Sequence, residues 1–432
     1  MSDIIIYGRG NTGKSLQKML EILKRPFCFY DDEHGFDKDI SFAKGSLVVL
    51  SPGVSPYADG VITAKKAGAK VIGELEFCQS YLKGRVVSVT GTNGKTTTCE
   101  MIAHILSESR KKVYLLGNGG IPLSEKIFEI KNDDITVLES SSFQLADCKT
   151  FSPYISVFTN LACDHINYHG SFEAYKNAKL NNFIHQQKES YAIFNADDNT
   201  VVKLSEKCSC KKLFYSLKNS SANCYCDGKN ILVTIEDKKT IVDALPVSQL
   251  AKHNLSNALA AILVSKILGI EESVSVNAIA SYKILPHRMQ FVDSFCGVTF
   301  VDDSKATNVH ATVSALSNYD CPLALILGGS SKCESFDSIF KNLGGNVKYI
   351  VAAGETAEEI AACARAYNVE VKLFDDIKSA TYHCYKMLKS NGGGTVLMSN
   401  ACASFDRFGS YSERGDYFQK VVRELHSGEE KN

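Results

Sequence analysis

The stretch Arg85-Val-Val-Ser-Val-Thr-Gly-Thr-Asn-Gly-Lys-Thr-Thr-Thr98 reads as a strand that turns through a glycine-rich loop into a helix. A mostly apolar, β-branched run fits a strand covered on both faces, as in a parallel sheet. Glycines let backbone N–H groups approach phosphate oxygens, and the helix that follows presents its positive end there. The loop departs from the strict phosphate-loop spacing, because Val89 stands where the first glycine belongs.

Outward from this stretch, short apolar runs alternate with helical periodicity, the pattern of βαβ units. Upstream, Ile4–Tyr7, Phe27–Tyr30, Leu47–Leu50 and Lys70–Ile72 read as strands, with helices between Gly13 and Lys24 and between Pro56 and Gly68. Downstream, Val113–Leu116, Ile135–Glu139, Tyr154–Thr159 and Tyr191–Asn195 extend a larger central sheet. Residues 211–242 read as β-hairpins and Leu255–Leu268 as a helix. A last set follows Pro286, with strands at Val298–Val301, Leu323–Leu327, Tyr349–Ala352, Val371–Phe374 and Thr395–Met398. The expectation is an α/β protein of three domains. Residues 1–83 are Rossmann-like, 84–285 a central P-loop ATPase-type domain on a mostly parallel sheet, and 286–432 a second Rossmann-like domain. The last six or so residues read as disordered.

At 432 residues, 44% hydrophobic and 22% charged, the composition is that of a globular protein. Lys+Arg 48 balances Asp+Glu 48, so no global field draws a nucleic acid or an anionic membrane, and phosphate must be held by local geometry. No apolar run nears the roughly 18 residues of a spanning helix, and no basic leader opens the sequence. A cytoplasmic protein is expected. Its fifteen cysteines are scattered, and reduced thiols are the default. Cys208-Ser-Cys210 with Cys224-Tyr-Cys226 is the one arrangement suggesting a metal, but zinc pairs usually leave two or more residues between cysteines.

A second loop, Gly8-Arg-Gly-Asn-Thr-Gly-Lys-Ser15, satisfies both the dinucleotide and the phosphate-loop patterns, and Asp31-Asp32 ends the next strand. Phosphoryl transfer needs Mg²⁺ as well as Lys, hence a carboxylate at the tip of a neighbouring strand. Glu139 supplies one near Lys95, whereas the matching strand of the first domain ends in Ser51-Pro-Gly53. ATP is therefore assigned to Lys95 and Thr96, and another phosphate ligand to the Gly8 loop.

Together, Gly91-Thr-Asn-Gly-Lys-Thr96, Glu139-Ser-Ser-Ser-Phe-Gln144, Asp164-His165, Lys179, His253-Asn254 with Asn257, Pro286-His-Arg288 and Asp303-Ser-Lys-Ala-Thr-Asn308 resemble the Mur ligases of peptidoglycan synthesis, above all their D-glutamate-adding members. The resemblance spans all three expected domains. It implies an ATP-dependent, ADP-forming acid–amino acid ligase that joins D-glutamate to UDP-N-acetylmuramoyl-L-alanine through an acyl phosphate. Gly10, Asn11, Thr12, Gly13, Asp31, Ser51, Pro52 and Gly53 become contacts to UDP, and Asn118, Ser141 and Gln144 contacts to the muramoyl part or its diphosphate. Gly91, Thr92, Asn93, Gly94, Lys95, Thr96 and Thr97 hold ATP phosphates; Asn254 and Asn257 lie near adenine, with Arg288, Asp303 and Lys305 as further nucleotide contacts. An N-cap is the plain alternative for Asn254. Two Mg²⁺ are implied, the first on Thr96 and Glu139 and the second on Glu139, His165 and Lys179, the lysine being carbamylated. Lys95, His165 and Lys179 carry the catalytic roles. Thr307, Lys332, Ser404 and Phe405, with Lys305 adjacent, form the D-glutamate site. Ser330-Ser331 depart from the family's usual acidic residue and glycine before this lysine. Only small-molecule partners and a monomer are expected.

Three rival functions remain. One is another ligase of the same superfamily, either a folylpolyglutamate synthase, against which the Gly8 loop argues, or a Mur ligase that adds a different residue. An NAD-dependent oxidoreductase at Gly8–Gly13 leaves Lys95, Glu139 and Lys179 without purpose. A non-catalytic nucleotide-binding regulator needs no amino-acid site.

Overall fold

The computed structural model describes residues 4–38, 40–118, 120–248, 250–283, 286–316, 318–332 and 334–429. Among them, three mostly parallel sheets of five, nine and six strands alternate with helices. The first sheet contains β1 (Ile4–Tyr7), β2 (Phe27–Asp31), β3 (Gly35–Phe36), β4 (Leu47–Leu50) and β5 (Lys70–Gly73), in the order β3-β2-β1-β4-β5. The central strand is the wholly apolar Ile-Ile-Ile-Tyr, buried on both faces. Strand order reverses at β1, which opens a crevice beyond the carboxyl ends of β1 and β4. The Gly8 loop and Ser51 lie there. The following helix is Asn11–Ile22, so Asn11 and Thr12 stand in its first turn rather than before it.

The second sheet contains β6 (Arg85–Thr90), β7 (Val113–Gly117), β8 (Ile135–Glu139), β9 (Ile155–Phe158), β10 (Tyr191–Asn195), β11 (Lys211–Ser216), β12 (Cys224–Cys226), β13 (Asn230–Ile235) and β14 (Lys238–Asp243). Its order is β14-β13-β12-β11-β10-β9-β6-β8-β7. The expected run of hairpins over 211–242 is corrected: β11 lies parallel to both β10 and β12, and only β12, β13 and β14 run antiparallel. A parallel link normally needs a long crossover. Here β12 pairs only with the end of β11, Tyr215 against Cys224 and Ser216 against Tyr225, so a short loop suffices. The helix expected from Leu255 begins at Lys252 and ends at Ile267. It is buried all round from Ala258 to Val264, which is why it lacks an amphipathic face.

The third sheet contains β15 (Gln290–Phe295), β16 (Val298–Asp302), β17 (Leu323–Leu327), β18 (Val347–Ala353), β19 (Lys372–Phe374) and β20 (Gly394–Met398), ordered β15-β16-β20-β17-β18-β19. The antiparallel edge strand β15 has no apolar run to announce it. Its turn into β16 uses Cys296 and Gly297, both with positive φ, as a tight hairpin demands. The closing helix, Tyr411–Glu429, carries order through part of the tail read as disordered; residues 430–432 lie outside the described residues.

By contacts the chain forms two compact units. One holds the first two sheets, residues up to Leu161 with Tyr168–Tyr282; the other holds the third sheet with Ala162–Asn167 and residues from Lys283 onward. The first two sheets share a core in which Leu16 and Met19 join Leu123, Leu138 and Phe151. The expected boundary after residue 285 falls on Leu285, which, with Ile284, is outside the described residues. No described helix is long and apolar enough to cross a membrane.

Candidate active site

In the first unit the loop between β6 and the helix Lys95–Glu108 is forced through a narrow passage. A Cβ on Gly91 (φ 146°) would lie 1.9 Å from Thr159 Oγ1, and one on Gly94 (φ 83°) 2.5 Å from Asn257 Oδ1. Only glycine fits either position. The end of β9 fastens the loop: Thr159 Oγ1 donates to the Asn93 carbonyl at 2.6 Å, and Asn160 Oδ1 accepts from the Asn93 N–H at 2.9 Å. Lys95 Nζ curls back onto the Gly91 and Thr92 carbonyls at 3.0 and 2.8 Å.

Lys179, on the helix Phe172–Leu180, is 1% exposed and donates to the same Gly91 carbonyl at 2.7 Å. Its Nζ also lies 4.8 Å from the centre of the Tyr175 ring, whose hydroxyl contacts Thr92 Oγ1 at 2.9 Å. Two side-chain ammonium groups thus meet at one carbonyl oxygen. Glu139 ends β8 in register with Val89 and Gly117, buried, and Asn118 Nδ2 donates to its Oε1 at 3.1 Å.

One carboxylate at the tip of the strand next to β6 suits Mg²⁺, which keeps waters and phosphate oxygens in its shell rather than a full protein cage. Asn254 strengthens the fit to a nucleotide. Its side chain is fully buried, yet neither amide atom has a partner among the described residues, a costly arrangement without a ligand. The capping alternative fails, because Ala251 is the N-cap of that helix.

The Gly8 loop is built differently. A Cβ on Gly13 would meet the Gly8 carbonyl at 2.0 Å, so helix and loop pack without space for a side chain. Lys14 is exposed, while Ser15 turns inward to contact Ser124 Oγ at 2.6 Å; Ser124 donates to the buried Glu74 at 2.6 Å. The serine matching the phosphate-loop pattern therefore ties two sheets together. Asp31 accepts from Arg9 and from the His34 N–H. Burial pushes its carboxyl up, but these bonds outweigh it and hold the pKa at about 2. Ser141 and Gln144 form a reciprocal capping box at the helix Ser142–Ala146.

In the second unit, four loop segments converge at the carboxyl ends of β16, β17 and β20. Arg414, 1% exposed, clamps two of them: its Nε donates to Ser304 Oγ, and its terminal nitrogens donate to the Ser304, Cys402 and Ala403 carbonyls. Ser330 N–H donates to the Ala403 carbonyl at 2.9 Å, which ties the loop carrying Lys332 to the one carrying Ser404. Asp164 is buried there, accepting from Asn308 Nδ2 at 3.3 Å and facing Lys332 Nζ at 4.0 Å. Asp303 accepts from Ser399 Oγ at 2.7 Å and the Met289 N–H at 3.2 Å. Burial dominates and raises its pKa to about 7, against the Ser399 bond and the Arg288 charge.

Comparison with known proteins adds an independent line. The Mur ligase middle domain model matches residues 89–265, and the Mur ligase, glutamate ligase domain model residues 287–402. The UDP-N-acetylmuramoylalanine--D-glutamate ligase of Thermoanaerobacter sp. (strain X514) is 34% identical, covering 98% of each chain. That of Clostridioides difficile (strain 630) is 33% identical with the same coverage. The chain belongs to the Mur ligase family. Solved structures agree on the fold. The MurF ligase of Thermotoga maritima in complex with ADP aligns with a TM-score of 0.62 at 18% identity, covering 98% of this chain and 96% of that one. MurC of Thermotoga maritima aligns at 0.58 and 16% identity, covering 98% and 100%.

In this Mur ligase the structure brings Gly91, Gly94, Lys95, Lys179 and Asn257 to one loop, and Glu139 to Asn118. His165 falls in the segment that packs with the second unit, with a positive φ of 54°. Thr97 is fully buried with a hydroxyl that has no partner among the described residues, whereas Thr96 is half-buried. Thr307 is half-buried, Ser404 buried, Phe405 76% exposed, and Lys305 lies over the Tyr411 ring. Arg288 Nε is buried without a partner among the described residues.

Sequence reading missed Arg414, Ser399, Arg9 and the pair Tyr57 and His169. His169 Nε2 lies 3.0 Å from Ser142 Oγ, and Tyr57 donates to the His169 carbonyl at 3.2 Å, joining the turn after Ser51-Pro-Gly53 to the central sheet. Arg9 lies inside the Gly8 loop, where the pattern marks the glycines and not the side chain between them; the others lie in no glycine loop, so local pattern carried no signal for them. Among the described residues no three His, Cys, Asp or Glu side chains group as a metal site. Cys208 and Cys210 lie in a different core cluster from Cys224 and Cys226.

Proposed function

We propose that this chain forms the amide between the carboxyl group of UDP-N-acetylmuramoyl-L-alanine and the amine of D-glutamate, with ATP cleaved to ADP and phosphate. The observation that carries the chemistry is the Gly91 loop, where Lys95 and Lys179 meet beneath a glycine passage next to the strand tips. Names borne by relatives of full-length coverage support the substrates.

In this reading the functional division follows residues 1–83, 84–285 and 286–432. Gly10, Asn11, Thr12, Gly13, Asp31, Ser51, Pro52 and Gly53 bind UDP, and Asn118, Ser141 and Gln144 bind the sugar acid. Gly91 to Thr97 cradle the ATP phosphates, while Asn254 and Asn257 receive the adenine. Arg288, Asp303 and Lys305 are further nucleotide contacts. Lys95 swings from its loop carbonyls to the transferring phosphoryl group, whose developing charge it stabilises. The phosphorylated carboxyl is attacked by the amine of D-glutamate, held by Thr307, Lys332, Ser404 and Phe405, and phosphate departs.

Mg²⁺, when bound, neutralises the phosphate oxygens. Thr96 and Glu139 would hold one ion, and Lys179 and His165 are proposed as ligands of a second. Lys179 suits that role only as a carbamate. As an ammonium it adds a second positive charge beside Lys95; as a carbamate it becomes an anionic oxygen ligand and the repulsion turns to attraction. The enzyme is taken to act as a cytoplasmic monomer.

The deciding experiment measures phosphate release with UDP-N-acetylmuramoyl-L-alanine, ATP and Mg²⁺ against a panel of amino acids. Release with D-glutamate alone is expected. Release with a different amino acid would reassign the ligase within its superfamily.

A further inference from the structure

The segment Cys208-Ser-Cys210 joins the helix Asn199–Ser205 to β11 and is pinned at both ends: the Cys208 N–H donates to the Ser205 carbonyl, and the Lys211 N–H to the Ser190 carbonyl. This corner brings the two sulfurs to 3.2 Å. Cys224 and Cys226 have the same spacing but sit in the extended strand β12, where residues two apart are separated by roughly 6.6 Å along the chain. The corner, not the spacing, creates the contact. We propose that Cys208 and Cys210 are a redox site, which a hydroperoxide converts to an intramolecular disulfide.

The chemistry follows from which sulfur holds the proton. The hydrogen bond from Cys210 brings the Cys208 thiol down to about 7 against the opposing effect of burial, with the Lys212 charge assisting. The same bond, then burial, pushes Cys210 up. Burial is the leading cause that drives Cys78, Cys99 and Cys384 upward, with carboxylates nearby adding to it at the first two. In the proposal Cys208 acts as the nucleophilic thiolate and Cys210, its sulfur 3.2 Å away, as the resolving thiol. Cys208 sulfur attacks the peroxide oxygen, the O–O bond breaks, and the sulfenic acid forms with release of water or an alcohol. Cys210 sulfur then attacks the sulfenic sulfur, its proton leaves with the hydroxyl as a second water, and the S–S bond forms. Two thiols are oxidised by two electrons and one hydroperoxide is reduced.

The residues are 7% and 8% exposed, which admits a small peroxide and excludes a protein thiol. Cys210 Sγ also lies 3.4 Å from Gln186 Oε1, which accepts from Ser156 on β9 at 2.8 Å.

The test treats the full chain with graded hydrogen peroxide, denatures it in iodoacetamide, and maps the digest by mass spectrometry. Alkylation of Cys208 and Cys210 should fall together by about tenfold, their shared peptide should be lighter by two hydrogen atoms, and dithiothreitol should reverse both effects. In Cys210→Ser, Cys208 should remain a sulfenic acid that dimedone captures. Two results overturn the proposal: full alkylation of both thiols at a dose that oxidises the exposed Cys296, or a disulfide from Cys208 to any other cysteine. The wild-type chain supplies the deciding readout, so a variant that fails to fold leaves the outcome intact.

Discussion

Gly91 offers one carbonyl oxygen to two lysines, and this shared acceptor separates their roles. Lys95→Ala should lower phosphate release by about a thousandfold with the circular dichroism spectrum unchanged, because it removes charge from the transferring phosphoryl group. Lys14→Ala, on the exposed side of the other loop, should leave that rate largely intact. Lys179→Ala should also inactivate, but short-chain carboxylates that fill the vacated space should restore part of the activity. Full activity without any additive would remove the carbamate from the reading. Asp303 gives a prediction in pH. Its folded pKa of about 7 lies above the ordinary 3.8, so the folded chain holds the proton more tightly than the unfolded one. The associated stability is complete below about pH 4 and declines as pH rises through 7. Asp303→Asn should flatten that decline, gaining up to a few kcal/mol on wild type at pH 8 relative to pH 5 in urea unfolding. A parallel offset at both pH values would show that burial does not hold the proton.

At the scale of elements, the third sheet relies on one buried guanidinium. Arg414 sits in the first turn of the helix Tyr411–Glu429 and donates to carbonyls on two loops outside the named strands. Arg414→Met should destabilise the second unit by about 3 kcal/mol or more, since several buried acceptors lose their donor together. It should also raise the KM for D-glutamate well above any change in the KM for ATP, because the loops it clamps lead to Thr307 and Ser404. Equal changes in both constants would separate the clamp from the amino-acid site. Elements were legible in sequence wherever a run was apolar enough to be buried: β1, β6, β8 and β17 match their expected spans. The edge strand β15, half-exposed with a bulge between Phe291 and Asp293, was not legible, nor was the direction of β11. A strand's own residues set its burial pattern but not which neighbour it pairs with.

Over the whole molecule, cores rather than sheets mark the units. Leu16 and Met19 of the first sheet's helix pack with Leu123 and Phe151 of the second, so these two sheets should unfold together. Calorimetry should show two transitions, not three, and only one should move upward when a non-hydrolysable ATP analogue is added. A third transition would mean that the first sheet unfolds by itself. The sequence by itself determined the α/β class and the three sheets, and it supplied the proposals that ATP belongs to Lys95 and not Lys14 and that chemistry sits at these loops. It could do so because glycine spacing, apolar runs and a strand-end carboxylate are local signals. Tertiary structure alone decided that Ser15 contacts Ser124, that Asn254 is buried without a partner among the described residues, and that Lys179 reaches Gly91 across 88 positions. It likewise decided that Asp164 lies with Asn308 and Lys332. These facts depend on which side chains meet after the chain crosses back on itself, and no stretch of sequence contains both partners.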